Sequence, residues 1–169
     1  MSNAVIFDAV TLQNMAVAGL LPVLESVHPS AELPRWTEVV RGECEDGRPR
    51  QHCVDVCNCT WLGDPAEPAD LTRVMRIQQA LSAPGDAPRR NLGEATSIAL
   101  AIEYGGTFVT DDRAAYRYAL RMSDLGTGRV QDMCWHLETA ISFGDLTQAQ
   151  VDQAHHDVAA ANRTMRCRH

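Results

Sequence analysis

Two short apolar runs in this chain each close on acid and lead straight into a helical pattern. That repeated arrangement restricts the fold more than any other feature. Val5-Ile6-Phe7 ends at Asp8, and Thr107-Phe108-Val109-Thr110 ends at Asp111-Asp112. Apolar runs this short, bounded by turn signals, read as buried strands. Helical segments lie between them, and strands joined through helices run parallel. The spacing predicts an α/β fold with a central, mostly parallel sheet. A chain of 169 residues holds one such domain, 1–169, with C-terminal helices over 130–162 packed on it.

The segments between follow the same reading. Thr11 can cap a helix carrying Leu12, Met15, Ala16, Ala18 and Leu20, broken near Gly19. Pro34 opens a helix bearing Trp36, Val39, Val40 and Glu43. Glu45–Arg50 reads as a surface loop, and Cys53–Leu62 as a strand stopped by Gly63-Asp64-Pro65. Leu71–Leu81 is an amphipathic helical pattern, and Ser82–Arg90, with Pro84, Gly85 and Pro88, is the clearest loop. A helix starting at Asn91 continues over Ala95–Tyr104 to Gly105-Gly106. Further helices are expected over Arg113–Met122, Val130–Ser142 and Gln148–Asn162.

Composition removes several chemistries. Net charge is −7, and all 15 basic residues are Arg, so no step can depend on a lysine. An acidic chain attracts nucleic acid poorly unless its arginines gather on one face or metal ions supply positive charge; a basic partner protein is another reason for acidity. The first ten residues lack a basic n-region, and no apolar run approaches the roughly 18 residues of a membrane span. A soluble, cytoplasmic protein is expected. The six cysteines, at 44, 53, 57, 59, 134 and 167, lack the paired spacing of structural zinc sites. Alternation along an extended segment would place Cys53, Cys57 and Cys59 on one face as small buried hydrophobes, and free thiols suit a reducing compartment.

The acids carry the chemical signal. Ligands of open α/β sheets bind beyond the carboxyl ends of the strands, where Asp8 and Asp111-Asp112 both fall. Carboxylates gathered there raise one another's pKa, and a hard divalent cation such as Mg²⁺ resolves the conflict. Such an ion activates water and stabilises the leaving oxygen of a phosphodiester. Each acid also has a structural alternative. Asp8 can cap the following helix, and one of Asp111 and Asp112 can cap the next. Glu94 has capping-box spacing from Asn91. Glu43 can be a solvated charge. Arg113, Arg117 and Arg121, at i, i+4 and i+8, form either a phosphate-binding stripe or a solvated helix face.

The stretch Gly93-Glu94-Ala95-Thr96-Ser97-Ile98-Ala99-Leu100-Ala101, followed by Phe108-Val109-Thr110-Asp111-Asp112-Arg113-Ala114-Ala115, resembles the second half of PIN domains. The nearest groups are VapC-type toxin ribonucleases and the PIN proteins described as nucleic-acid-binding. Val5-Ile6-Phe7-Asp8-Ala9 is similar to the family's opening strand and first acid, and Val39-Val40-Arg41-Gly42-Glu43-Cys44 to the segment that supplies its second. The likeness spans roughly residues 4 to 147. It implies a PIN-like three-layer α/β/α sandwich and a metal-dependent endoribonuclease. Asp8, Glu43, Glu94 and Asp112 would be its catalytic acids, holding Mg²⁺ or Mn²⁺. Asp111 would be a helper, ligand or cap, with Asp132, Glu38 and Thr110 as further candidates and Arg113 and Arg117 on the nucleic acid. It also implies an RNA substrate, a small antitoxin and a homodimer, or, alternatively, a catalytically silent module that pairs with a partner protein. The chain departs from the family at Val10, where a polar residue is usual, so that Thr11 would have to orient Asp8. The insert Glu45–Asp70 matches nothing in the family. Phosphotransfer folds of the haloacid dehalogenase or response-regulator kind fit poorly, since they use a lysine against phosphate and the former also an acid at position 10.

Overall fold

The computed structural model describes residues 4–28, 33–47, 50–122 and 124–165. Among them lies one small parallel sheet of three strands: β1 (Val5–Phe7), β2 (Thr107–Val109) and β3 (Val130–Gln131). Their order is β1-β2-β3, with Phe7 facing Val109 and Val109 facing Gln131. Side chains alternate across the sheet, and here both faces are apolar. Phe7 and Val109 enter one core, while Ile6, Phe108 and Val130 enter another. Continuous apolar runs in place of polar–apolar alternation follow from this two-sided burial.

Helices cover both faces. The Phe7 side is packed by α1 (Ala9–Val17), α2 (Leu21–Val27), α3 (Glu38–Asp46) and α4 (Arg50–Cys57), and later by α8 (Met133–Phe143) and α9 (Gln148–Ala160). The Ile6 side is packed by α5 (Leu71–Leu81), α6 (Leu92–Glu103) and α7 (Arg113–Ala119). Most starts are fixed by a side-chain cap accepting from the first turn: Asp8, Thr37, Asp70, Asp112, Asp132 and Thr147. α3 bridges the two sides. Its Val40 and Cys44 join the Phe7 core, while Thr37 Oγ1 meets Thr96 Oγ1 of α6 at 3.0 Å.

The α/β class and parallel strands agree with the sequence reading, and several boundaries do not. Cys53–Leu62 is no strand: Arg50–Cys57 is helical and Thr60–Leu62 a 3-10 turn. Cys53 and Val56, three apart, are the buried pair, whereas strand alternation would have buried Cys53 with Cys57. A short apolar run fits both periods, and packing decided for the helix. The helix expected from Pro34 begins at Glu38, because Thr37 caps it. Asp8, not Thr11, caps α1. The Val130 segment starts as a strand, so the strand–acid–helix pattern occurs a third time as Val130-Gln131, Asp132 and α8. Cys44, Cys53, Cys57 and Cys59 are free thiols, Cys134 is disulfide-bonded, and Cys167 lies outside the described residues. Among the described residues no single helix is long and apolar enough to cross a membrane.

Gly106 allows β2 to join β1. A Cβ there would stand 2.4 Å from the Ala4 carbonyl oxygen, whose partner is the Thr107 N–H at 2.8 Å. Gly106→Ala is expected to destabilise the fold by about 1–3 kcal/mol through forced overpacking. Urea denaturation checks this, and an unchanged midpoint would show that the two strands have room to part.

Candidate active site

The carboxyl ends of all three strands lie on one edge of the sheet. The ladder runs one residue beyond the strands, with Asp8 N–H donating to Val109 O (3.1 Å) and Thr110 N–H to Gln131 O (3.0 Å). Asp8, Thr110 and Asp132 therefore emerge at the same level. The chain then turns into a helix each time, with acid at the cap: Asp8 accepts from Thr11 N–H (2.8 Å), Asp112 from Ala115 N–H (2.7 Å) and Asp132 from Trp135 N–H (3.0 Å).

Asp8 is buried, with 1% of its surface exposed. Thr110 Oγ1 donates to its Oδ2 and accepts from the Asp112 N–H at 3.0 Å. Thr11 Oγ1 accepts from the Asp111 N–H at 3.0 Å, so two threonines join the end of β1 to the end of β2. Thr11 thus occupies the orienting place that Val10 leaves empty. Burial raises Asp8 from an ordinary 3.8 to about 8, against the lowering hydrogen bonds from Thr110 and Thr11; the charge of Glu94 adds to the rise. At neutral pH Asp8 holds its proton unless a cation replaces it.

Glu94 stands in the first turn of α6 and raises both Asp8 and Glu43. Burial, and then the Asp112 carboxylate, raise Glu94 in turn, while Arg90 lowers it. No capping box holds it: Asn91 is left-handed at φ 58° and makes no side-chain cap. Glu43 comes from α3 and lies against Gly93, whose N–H it accepts. A Cβ at Gly93 would meet the Glu43 oxygens at 2.4 and 2.7 Å, so glycine is what lets the acid in. Burial of its carboxyl, then Glu94, raise Glu43 to about 7, opposed by Gly93 N–H and Arg89, although the residue as a whole is exposed. The two helices thus set Asp8, Glu43, Glu94 and Asp112 into one electrostatic group centred on Glu94.

Other candidates are placed differently. Asp111 is buried, with Oδ1 accepting from Met133 N–H (3.0 Å) and Oδ2 from Asn14 Nδ2 (2.9 Å). It ties α1, β2 and α8 together, which suits a helper better than a metal ligand. Asp132 caps α8 at the β3 end. Glu38 is exposed on the α3 face that carries Glu43, in a cleft with Arg89 and Leu92. Arg113, Arg117 and Arg121 are exposed, and Arg121 Nε donates to Arg117 O at 3.0 Å. Among the described residues no group of three or more His, Cys, Asp or Glu side chains is arranged to hold a metal ion.

Sequence reasoning missed Asn14, which is fully buried, donates to Thr164 O (3.0 Å) and accepts from Arg163 Nε (2.9 Å). Its only signal was a polar residue on the apolar face of α1. It also missed His28 and His136, whose Nε2 and Nδ1 lie 3.3 Å apart beside Phe7. Burial lowers these imidazoles to about 4 and about 3. Comparisons with family models, curated proteins and solved structures find no match.

The shifts fix the sign of a pH dependence. Neutral His28 and His136 stabilise the fold above their unfolded value near 6.5, and that stability is lost as pH falls towards about 4. Neutral Asp8 does the reverse: its contribution is complete below about 4 and is lost as pH rises through about 8. Between about pH 7 and 8 the histidines are mostly neutral in both states, while Asp8 and Glu43, raised to about 8 and about 7, still lose their protons, so Tm in EDTA is expected to fall with rising pH and to level off beyond. Asp8→Asn should lessen that slope in thermal melts and leave the part due to Glu43, and a variant that declines as steeply as wild type would remove Asp8 as a cause.

Proposed function

We propose that this chain is a PIN-like, metal-dependent endoribonuclease, with a three-layer α/β/α sandwich presenting its acids at the sheet edge. One observation carries the reading: Glu94 lies within electrostatic reach of acids from three other segments, Asp8, Glu43 and Asp112, and burial holds Asp8, Glu43 and Glu94 above the ordinary carboxylate range. Buried carboxyls near one another are a donor set that a hard cation would relieve. Asp8 and Glu94, with Asp112 or Glu43, would hold Mg²⁺ or Mn²⁺. Such an ion would activate water and stabilise the leaving oxygen.

The lack of a ready group of three ligands bears on this fit. Mg²⁺ takes one or two carboxylates directly and completes its shell with waters and substrate oxygens, so a pre-formed cage is not required. The chain's own residues then have defined tasks. Thr110 and Thr11 fix the Asp8 carboxyl, Gly93 admits Glu43, and exposed Arg113, directly after Asp112, and Arg117, one turn on, would meet phosphate. In this reading the protein is a cytoplasmic toxin acting as a homodimer and restrained by a small basic antitoxin. The second reading, a silent module of the same fold that binds a partner protein, is favoured by that missing group of three.

Asp8→Asn copies the protonated acid and should leave the circular dichroism spectrum unchanged. It should lower Mn²⁺- or Mg²⁺-dependent cleavage of single-stranded RNA by about 10²–10³-fold. Glu94→Gln should do the same, and Thr110→Val should lose about 10–100-fold by releasing the carboxyl it orients. Wild type that neither binds Mn²⁺ in calorimetry nor cuts RNA would leave the silent module.

A further inference from the structure

The loop between α5 and α6 delivers a cation to the acid group. Gln78 of α5 donates through Nε2 to Pro88 O (2.8 Å) and to Arg90 O (3.0 Å), gripping the backbone on both sides of Arg89. Asn91 takes the left-handed conformation that turns the chain into α6, and its Nδ2 donates to Leu81 O at 3.0 Å. A left-handed non-glycine residue is a strained feature that Asn tolerates best. The loop is therefore built and pinned. Its two arginines differ: Arg90 is paired with Asp86 at 3.3 Å, while Arg89 forms no salt bridge among the described residues. Arg89 is exposed and lines a cleft of about 430 Å³ with Glu38, Gly42, Glu43, Asp46 and Leu92. Glu43 is thus shared between this cleft and the acid group.

We propose that Arg89 is a substrate-binding residue that holds a phosphate of single-stranded RNA in the cleft beside Glu43, and that Gln78 is its positioning residue. The inference rests on the nuclease reading and assigns its substrate path. An arginine fits because its planar fork meets two phosphate oxygens at once. In a chain with net charge −7 and no lysine, a strand must be met by individual arginines placed where it passes. Arg89 borders Glu43, and Arg113 follows Asp112, so each of two acids that interact with Glu94 has an arginine near it. A strand crossing the acids would meet both arginines.

The test measures binding by fluorescence anisotropy of a short labelled single-stranded RNA, over a range of salt, with Mg²⁺. All variants carry Asp8→Asn so that no strand is cut. Arg89→Ala is expected to weaken binding about tenfold or more. It should also lower the slope of log affinity against log salt by about 0.7, as one lost phosphate contact on a single strand requires. Arg89→Lys should restore the slope and only part of the affinity, and exposed Arg76→Ala on α5 should change neither. Gln78→Ala should weaken binding without removing charge, and adding it to Arg89→Ala should cost nothing more. Unchanged affinity and slope in Arg89→Ala overturn the proposal, as does a parent protein that binds no RNA. Arg89-dependent binding by a wild type that never cuts RNA would keep this inference and sink the nuclease.

Discussion

Asp8 is placed where three influences on a carboxyl group disagree. It caps α1, and a helix N-terminus favours negative charge by about 0.3–1 kcal/mol, up to about 2 when partly buried. It accepts from the Thr11 backbone and the Thr110 hydroxyl, which also favour the ionised form. Against these stands nearly complete burial, which shifts pKa by up to 3–5 units at roughly 1.4 kcal/mol each. Burial is the larger effect, and the group is neutral at pH 7. The outcome depends on a dry surrounding, and so on the whole Phe7 core. The segment before α3 completes the enclosure, since Phe7 N–H donates to Arg35 O at 2.8 Å and covers the outer side of β1.

The surrounding structure is largely the means of holding that position. Sheet strands of two or three residues give few hydrogen bonds, so side chains supply the links between strand ends. Thr110 and Thr11 cross between β1 and β2, and Asp111 joins α1 to α8. Asp111 is therefore better understood as the anchor of the edge than as part of its chemistry. Removing its side chain would leave the Met133 N–H without its acceptor and the Asn14 amide with only Thr164 O, and such buried donors are expensive to abandon.

What could be read from the sequence divides by the range of the forces involved. The β1 and β2 runs, the α5 and α6 helices and the loop between them were legible because local pattern and final burial agree there. β3 was not, since two residues carry no periodicity, and Val130-Gln131 becomes a strand only by pairing with Phe108 and Val109. The cysteine-rich stretch was misread because Cys53, Cys57 and Cys59 satisfy alternation while Cys53 and Val56 satisfy a helix. Which face is buried is decided by packing against α1 and α3, which the local pattern does not contain. At the site, the strand-end acids were visible from position alone. The roles of Asp111 and Asp112 were not assignable, because either of two adjacent acids can cap a helix and the choice is made by contacts to Asn14 and Met133.

Not all four acids argue equally for chemistry. Asp8 and Asp112 each complete a helix start, so a structural account covers both. Glu94 has a weaker one: it stands in the first turn of α6 and accepts its own backbone N–H, but Asn91 lacks the cap that its spacing suggests, and burial, with Asp112 beside it, raises the carboxyl. Glu43 supplies the acceptor for the Gly93 N–H in the first turn of α6, which Asn91 leaves uncapped. It is an acid brought against another acid through a gap that exists only because residue 93 has no side chain. Two carboxyls in that relation oppose folding at neutral pH, and alanine at position 43 would relieve the conflict and open no core cavity, but it would also take the acceptor from the Gly93 N–H. The pairing thus sets one helix-end hydrogen bond against a like-charge cost, the same kind of balance that Asp8 strikes between its cap and its burial.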